Sequence, residues 1–273
     1  MATSIRQRNN VKAWGSGTTT LLFAHGFGCD QSMWRFLLPA LGNRYRIVVF
    51  DAVGSGASDW GAYDRGKYGS LLGYAQDVLE IADEFAEGFA DRSLVFVGHS
   101  VASMVGLLAT IRQPGRFAAQ VMISPSPCYL NDGDYRGGFS LDDIEDMLQT
   151  LADNSEGWAR AMAPVIMGAP SQPRLGSELV DSFCRADPAI AAHFARVTFL
   201  SDHRADLAQS ATPALILQCT DDLIAPCVVG EYTHHALAGS KLCLIDNIGH
   251  CPHMSAPRDC EAAISPFLRQ WTD

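Results

Sequence analysis

Short apolar segments alternate with amphipathic helical segments along most of this chain, and this alternation constrains the fold more than any other feature. The apolar segments barely alternate in polarity, as expected of strands buried on both faces of a parallel sheet. The predicted strands are Thr20–Ala24, Arg46–Asp51, Ser93–Gly98, Gln120–Ser124, Ala214–Cys219 and Leu242–Asp246. The helices predicted with them are Leu71–Glu87, Val101–Arg112, Val228–Leu237 and Arg258–Gln270. We therefore predict an α/β fold with a mostly parallel sheet and helices on both faces.

One long segment interrupts this alternation. Between about Pro125 and Ser210 the sequence has helical periods but no convincing buried strand. The helices predicted there are Leu141–Leu151, Glu156–Met167, Gly176–Arg185 and Pro188–Leu200. The simplest interpretation is a core formed by residues 1–124 and 211–273, with residues 125–210 inserted as a helical lid. The alternative is that the segment contains a strand without a clear sequence signal.

Charge and composition exclude several classes of protein. With 273 residues, 48% of them hydrophobic, the chain can bury one large core. A net charge of −10 disfavours nucleic acids and anionic membrane surfaces as partners, and no apolar run is long enough to span a membrane. The N-terminus has no apolar stretch typical of a signal peptide, and the eight cysteines include no C-x-x-C pair. We therefore expect a cytoplasmic protein with free thiols.

The sequence Gly98-His-Ser100 lies where a predicted strand meets a predicted helix. A serine on such a sharp turn has a strained backbone and needs small residues two positions to either side. Gly98 and Ala102 meet this need, the alanine standing where a second glycine is usual. Two further G-x-S sequences, Gly56–Ser58 and Gly138–Ser140, lack this context. Ser100 is therefore the candidate nucleophile, and a helix-capping serine is the alternative interpretation.

A serine nucleophile requires a base, and the base requires an acid that orients it. In folds with this type of turn the three residues follow in the order Ser, Asp, His. Two adjacent aspartates, Asp221 and Asp222, come after the predicted strand that ends at Cys219. Asp222 stands four residues before Pro226, a D-x-x-x-P spacing common at this turn. Asp222 is therefore the preferred acid, and Asp221 is the alternative.

The candidate base is His250, which follows a glycine in the loop after the last predicted strand. A flexible glycine allows that loop to bring the imidazole over Ser100. A metal site formed by His250, Cys251 and His253 is the alternative interpretation of the same segment. The sequence offers no further pair of ligands with the spacing that metals require, so we expect no metal.

Acyl transfer also needs N–H donors for the developing oxyanion. We expect one from Val101, at the start of the helix after Ser100, and one from Phe27, in the glycine-rich segment His25–Gly28. Another segment, Gly54–Gly56, resembles the start of a dinucleotide-binding loop, but Asp59 stands where the third glycine belongs. No nicotinamide, flavin or other cofactor is therefore expected.

Several segments together resemble the RsbQ-like branch of the α/β-hydrolases, which includes the bacterial stress regulator RsbQ and plant receptors for strigolactones and karrikins. The matching segments span nearly the whole chain: His25–Ser32, Phe50–Ser58, Gly73–Val78, Gly98–Val101, Ser124–Asp132, Gly137–Phe139, Ser201–Arg204, Leu217–Cys219 and Gly249–His253. Ala102 departs from the family pattern near the nucleophile and leaves Ser100, Asp222 and His250 in place.

The resemblance implies an α/β-hydrolase fold whose lid of four helices covers a small apolar pocket. The residues that it places in the pocket are Phe27, Tyr129, Phe139, Met147, Trp158, Met162 and Phe199. The function implied is a serine esterase for a small lipophilic ester or lactone. The alternative is a stress-signalling regulator that binds or hydrolyses such a ligand and activates a PAS-containing, PP2C-type phosphatase. Cofactor-free haloperoxidase or C–C hydrolase chemistry would use the same triad.

Overall fold

A seven-stranded sheet forms the centre of the fold. The computed structural model describes residues 4–86 and 93–271. Its strands are β1 (Lys12–Trp14), β2 (Thr20–Ala24), β3 (Arg46–Val49), β4 (Leu94–His99), β5 (Ala119–Ile123), β6 (Ala214–Asp221) and β7 (Ser240–Ile248). They lie in the order β1-β3-β2-β4-β5-β6-β7, with β1 antiparallel to β3 and every other pair parallel. The predicted mostly parallel sheet is confirmed.

Helices connect the strands close to the predicted positions. They are α1 (Ile5–Arg8), α2 (Leu38–Leu41), α3 (Leu71–Ala86), α4 (Val101–Arg112), α5 (Leu141–Asp153), α6 (Ser155–Met167), α7 (Pro173–Arg185), α8 (Pro188–Phe199), α9 (Cys227–Ala236), α10 (Pro252–Ser255) and α11 (Pro257–Leu268). Short 3-10 helices occupy Gln31–Phe36, Trp60–Ala62, Arg204–Gln209 and Arg269–Trp271. Glu87, the last residue of one predicted helix, lies outside the described residues. None of the helices within 4–86 and 93–271 is long and apolar enough to cross a membrane.

The central strands bury side chains on both faces of the sheet. In β2, Leu21 and Phe23 point into one apolar cluster, whereas Leu22 and Ala24 point into a second cluster on the opposite face. All five residues of β2 are buried. This two-sided burial explains why the strand has no polar alternation in its sequence.

The sequence prediction missed β1, which pairs with β3 at one edge of the sheet. All three of its residues, from Lys12 to Trp14, are exposed. A strand of three exposed residues has no buried apolar side chains, and therefore no hydrophobic pattern that could identify it.

Four long helices, α5 to α8, lie between β5 and β6 in the chain. Residues 125–210 are all described, and they contain isolated bridges but no strand. Local sequence explains where two of the helices begin. Ser140 and Asp143 form a capping box at the start of α5, and the Asp187 carboxylate accepts hydrogen bonds from two backbone N–H groups in the first turn of α8. Their apolar faces form a third cluster with Tyr129 and Ile224, which follow β5 and β6. This cluster therefore lies at the carboxyl edge of the sheet.

Candidate active site

Ser100 occupies a strained turn between β4 and α4. Its backbone has φ 56° and ψ −126°, a combination that side-chain-bearing residues rarely adopt. The neighbouring chain passes closely, because a Cβ added at Gly98 would lie 2.7 Å from the Ala102 carbonyl oxygen. The Ser100 amide donates to the Ile123 carbonyl oxygen at 2.8 Å, which holds the turn against β5. A glycine at position 98 is therefore required by the local packing.

Three side chains form a continuous hydrogen-bonded chain at this turn. The Ser100 hydroxyl donates to His250 Nε2 at 2.7 Å, and His250 Nδ1 donates to Asp222 Oδ2 at 2.7 Å. The side chains of His250 and Asp222 are 4% and 0% exposed. In this arrangement His250 can take the proton of Ser100 while Asp222 fixes the tautomer and stabilises the imidazolium that forms.

Two backbone amides anchor the Asp222 carboxylate. Its Oδ1 accepts from the amides of Ile224 at 2.8 Å and Ala225 at 3.1 Å, so that Oδ2 faces His250. Asp221 is the last residue of β6, its side chain is exposed, and its carbonyl oxygen accepts from the Gly249 amide at 2.7 Å. The structure therefore brings Asp222, and not Asp221, to the imidazole.

The backbone of His250 is held from both sides. Its amide donates to the Ile166 carbonyl oxygen of α6 at 2.7 Å, and its own carbonyl oxygen accepts from His99 Nε2 at 2.8 Å. Gly249, with φ 106°, approaches α6 so closely that an added Cβ would lie 2.0 Å from the Met167 carbonyl oxygen. The glycine before His250 is thus required by a close backbone contact with α6.

The two expected oxyanion donors lie beside the nucleophile. Val101 is the first residue of α4, where the helix geometry leaves backbone amides without an intrahelical acceptor. Phe27 lies between Gly26 and Gly28, and a Cβ at Gly26 would lie 3.2 Å from Ser100 Cβ. Within the described parts of the chain, neither the Phe27 amide nor the Val101 amide has a hydrogen-bond acceptor. Both are therefore available to a ligand.

A small cavity of about 30 Å³ adjoins Ser100 and His250. This volume accommodates only one or two water molecules. Its lining residues are Phe27, Cys29, His99, Ser100, Tyr129, Ile166, Leu179, Phe183, Thr198, Phe199, Ile224, His250 and Cys251. Any organic ester is larger than this cavity, so ligand binding requires movement of the lining side chains or of the helices that carry them.

Of the seven predicted pocket residues, three belong to the third apolar cluster (Tyr129, Trp158 and Phe199), and four pack against it (Phe27, Phe139, Met147 and Met162). Phe27, Tyr129 and Phe199 line the cavity, whereas the four others pack behind the lining without reaching it: Phe139, Met147, Trp158 and Met162. Sequence reasoning missed Phe183, whose ring packs 5.7 Å from that of Phe27. The helical period of α7 predicted an apolar face, but it could not show that this face meets the segment His25–Gly28.

Tyr129 brings a further polar group to the nucleophile. Its hydroxyl lies 3.3 Å from the Ser100 hydroxyl oxygen, and burial raises the pKa of the phenol to about 12. The ring packs against Phe199, with centroids 5.0 Å apart. Tyr129 therefore stays protonated near neutral pH and can donate a hydrogen bond to the reacting oxygen.

Two further buried histidines pack behind His250. The His99 ring lies 5.1 Å from that of His250 and 4.5 Å from that of His253, and His253 packs in turn on Trp34. Burial lowers the pKa of His253 to about 3 and holds the pKa of His99 well below its usual value. Both rings are therefore neutral near pH 7. The part of the chain that the structure describes gathers no group of metal-ligating side chains, here or elsewhere.

A carboxylate of the protein packs against the segment Gly54–Gly56, which resembled a dinucleotide loop in the sequence. This carboxylate belongs to Asp51 and accepts from the amides of Gln31 at 2.8 Å and Ala57 at 2.9 Å. A Cβ added at Gly56 would lie 2.5 Å from the Asp51 carboxylate. The glycine therefore admits an internal carboxylate to this turn.

Comparison with known proteins agrees with this geometry. Residues 21–263 match the model of the alpha/beta hydrolase family. The chain is 37% identical over 254 residues to Karrikin insensitive 2 receptor CA of Petunia hybrida, with 93% of each chain covered. It is 34% identical over 268 residues to strigolactone esterase D14 of Arabidopsis thaliana, covering 98% of this chain and 97% of that protein. The predicted resemblance to the branch that contains these plant proteins is confirmed.

A solved structure extends the comparison to three dimensions. The hydrolase olei00960 from Oleispira antarctica superposes with a TM-score of 0.89 and is 42% identical. The match covers 97% of this chain and 95% of that one. The predicted α/β-hydrolase fold is therefore confirmed.

Proposed function

Because this chain belongs to the alpha/beta hydrolase family, we propose that it hydrolyses a small lipophilic carboxylic ester or lactone. The observation that carries the proposal is the unbroken hydrogen-bonded chain from Ser100 through His250 to Asp222. It stands beside two backbone amides without an acceptor and a cavity lined mainly by apolar side chains. A charged substrate would lose its hydration in such a cavity without finding a partner of opposite charge.

In the proposed mechanism, the Ser100 oxygen attacks the ester carbonyl while His250 Nε2 takes its proton. The amides of Phe27 and Val101 stabilise the oxyanion of the tetrahedral intermediate. His250 then gives the proton to the leaving alkoxide, which departs as the alcohol and leaves an acyl group on Ser100. A water molecule, deprotonated by His250, attacks the acyl carbonyl and forms a second tetrahedral intermediate. When this intermediate collapses, His250 returns the proton to the departing Ser100 oxygen, and the acid is released.

We further propose that residues 125–210 act as a lid over the site. Five of the cavity-lining residues, Ile166, Leu179, Phe183, Thr198 and Phe199, come from α6, α7 and α8. Movement of these helices would enlarge the cavity, which as it stands is smaller than any ester. A cytoplasmic location is part of the same proposal, since all eight cysteines are free thiols.

The test is hydrolysis of p-nitrophenyl butyrate by the wild type and by Ser100→Ala. We expect wild-type turnover well above the buffer rate and complete loss in Ser100→Ala. Ser140→Ala is the matched control, since Ser140 also lies in a G-x-S sequence but caps α5. It should keep its activity and lose only about 1 kcal/mol of stability. Wild-type turnover equal to that of buffer would refute the proposal.

A second candidate function is a ligand-dependent regulator that activates a PAS-containing, PP2C-type phosphatase. The similarity to a protein named as a receptor favours it, as does a cavity that must change shape to admit a ligand. Isothermal titration of the purified chain with such a phosphatase from the same organism tests this function. Binding that raises the phosphatase rate supports it, and no binding at micromolar concentrations contradicts it.

A further inference from the structure

Thr198, near the end of α8, is a buried polar residue in the wall of the cavity. Its side chain is 1% exposed, and the hydroxyl has no hydrogen-bond partner among the described residues. Its backbone carbonyl oxygen accepts from the Ser201 hydroxyl at 2.9 Å, so the main chain is satisfied while the side chain is not. A buried hydroxyl without a partner costs about 1–3 kcal/mol, a cost that a hydrogen bond to a ligand in the adjoining cavity would remove.

The other hydroxyls of the cavity already have partners, whereas His99 Nδ1 has none among the described residues. The Ser100 hydroxyl is bonded to His250, and the Tyr129 hydroxyl lies 3.3 Å from the Ser100 oxygen. His99 uses its Nε2 to hold the backbone of His250. Thr198 is therefore the hydroxyl in this wall that is left for a part of the substrate other than the reacting carbonyl.

Thr198 precedes, in α8, a ring that packs on two residues beside the nucleophile. Its neighbour Phe199 packs on Tyr129 at 5.0 Å and on Phe27 at 6.0 Å between ring centroids. Two aromatic rings, Phe199 and Tyr129, thus lead from α8 to Ser100. A substrate that contacts both Ser100 and Thr198 must carry a second polar atom besides the scissile carbonyl.

We propose that the Thr198 hydroxyl donates a hydrogen bond to a second, uncharged oxygen of the substrate. The substrate class is then a lipophilic ester or lactone that carries an ether or carbonyl oxygen besides those of the scissile group. An oxygen without its own proton fits best, because the surrounding apolar wall (Leu179, Phe183 and Ile224) offers no acceptor side chain for an additional donor. The inference rests on the proposed hydrolase function and adds the substrate class to it.

The experiment compares esters in which one methylene is replaced by an ether oxygen. One series is p-nitrophenyl hexanoate with its 3-, 4- and 5-oxa analogues, and the other is hexyl acetate with the corresponding oxa analogues in the alcohol. For each enzyme variant, kcat/KM of every analogue is divided by kcat/KM of its parent ester. Differences in intrinsic ester reactivity cancel when these ratios are compared between variants.

For at least one analogue, Thr198→Val should lower this ratio about 5- to 10-fold, the value of one hydrogen bond. Thr198→Ser, which keeps the hydroxyl, should restore it. Thr233→Val is the control, because Thr233 is also buried but bonds the Val229 carbonyl oxygen of α9. Ratios that change less than twofold in both series would overturn the inference. Failure of the hydrolase proposal would be seen separately, as wild-type turnover of hexanoate equal to that of buffer.

Discussion

Replacing Asp222 by asparagine should remove most of the catalytic rate while leaving the fold intact. In the structure, Oδ1 of Asp222 accepts two backbone N–H groups, from Ile224 and Ala225, and Oδ2 faces His250 Nδ1. The asparagine carbonyl oxygen must take the place of Oδ1 to satisfy the two amides. Its NH₂ group then faces His250 Nδ1 as a donor. His250 would be held with its proton on Nε2, where it cannot accept the proton of Ser100.

The size of the effect follows from the cost of the alternative arrangement. Turning the amide over would restore the productive tautomer, but it would leave the amides of Ile224 and Ala225 buried without an acceptor. Each lost partner costs about 1–3 kcal/mol, so the productive state lies about 2–6 kcal/mol higher. This corresponds to a fall in kcat of about 30-fold to 10⁴-fold. The missing charge behind the imidazolium lowers the rate further, so we expect the upper part of this range.

The assay is single-turnover acylation by p-nitrophenyl butyrate, which isolates the step in which His250 acts as base. Asp221→Asn is the matched control, because it removes the same charge one residue earlier, where the side chain is exposed. It should change kcat less than twofold. An Asp222→Asn enzyme that retains more than about a tenth of the wild-type rate would refute the reasoning, as would an equal loss in Asp221→Asn.

Two further predictions concern the buried histidines. His99→Phe removes the donor to the His250 carbonyl oxygen, so kcat should fall about 10-fold with little change in KM, and His99→Gln, which keeps a donor, should recover most of it. Thermal unfolding of both variants separates this loss of positioning from a loss of folded protein, and equal kcat in the two variants would contradict the role. His253 has a pKa of about 3 in the folded protein and about 6.5 when unfolded, so its contribution to stability is complete above pH 6.5 and is lost as the pH falls towards 3. Between pH 7 and pH 4 the wild type should therefore lose on the order of 3 kcal/mol more stability than His253→Phe, as measured by urea unfolding; equal losses would contradict the assignment.

Buried strands and periodic helices were predictable because their patterns follow from burial itself. The strand bounds of β2 were predicted without error, and the four helices between β5 and β6 lie within a few residues of their predicted positions. The pocket lining was less predictable. An apolar residue such as Trp158 has the same sequence signal whether it reaches the cavity or packs behind it. Which side of a helix faces the cavity depends on how the helices pack. The contact of Phe183 with Phe27 shows that the segment His25–Gly28 meets one face of α7, and the sequence alone could not identify that face.

The choice between the two adjacent aspartates shows how strand register determines a site. Asp221 still belongs to β6 and pairs with Ile248 of β7, after an irregularity between Cys219 and Asp221. Its exposed side chain and its carbonyl bond to the Gly249 amide both follow from that pairing. The next residue leaves the strand, and its carboxylate is captured by the amides of the turn that follows. A difference of one position along the chain decides whether a carboxylate faces solvent or the His250 imidazole. The spacing to Pro226 indicated the better candidate. The register of β6 against β7 explains why this candidate is Asp222.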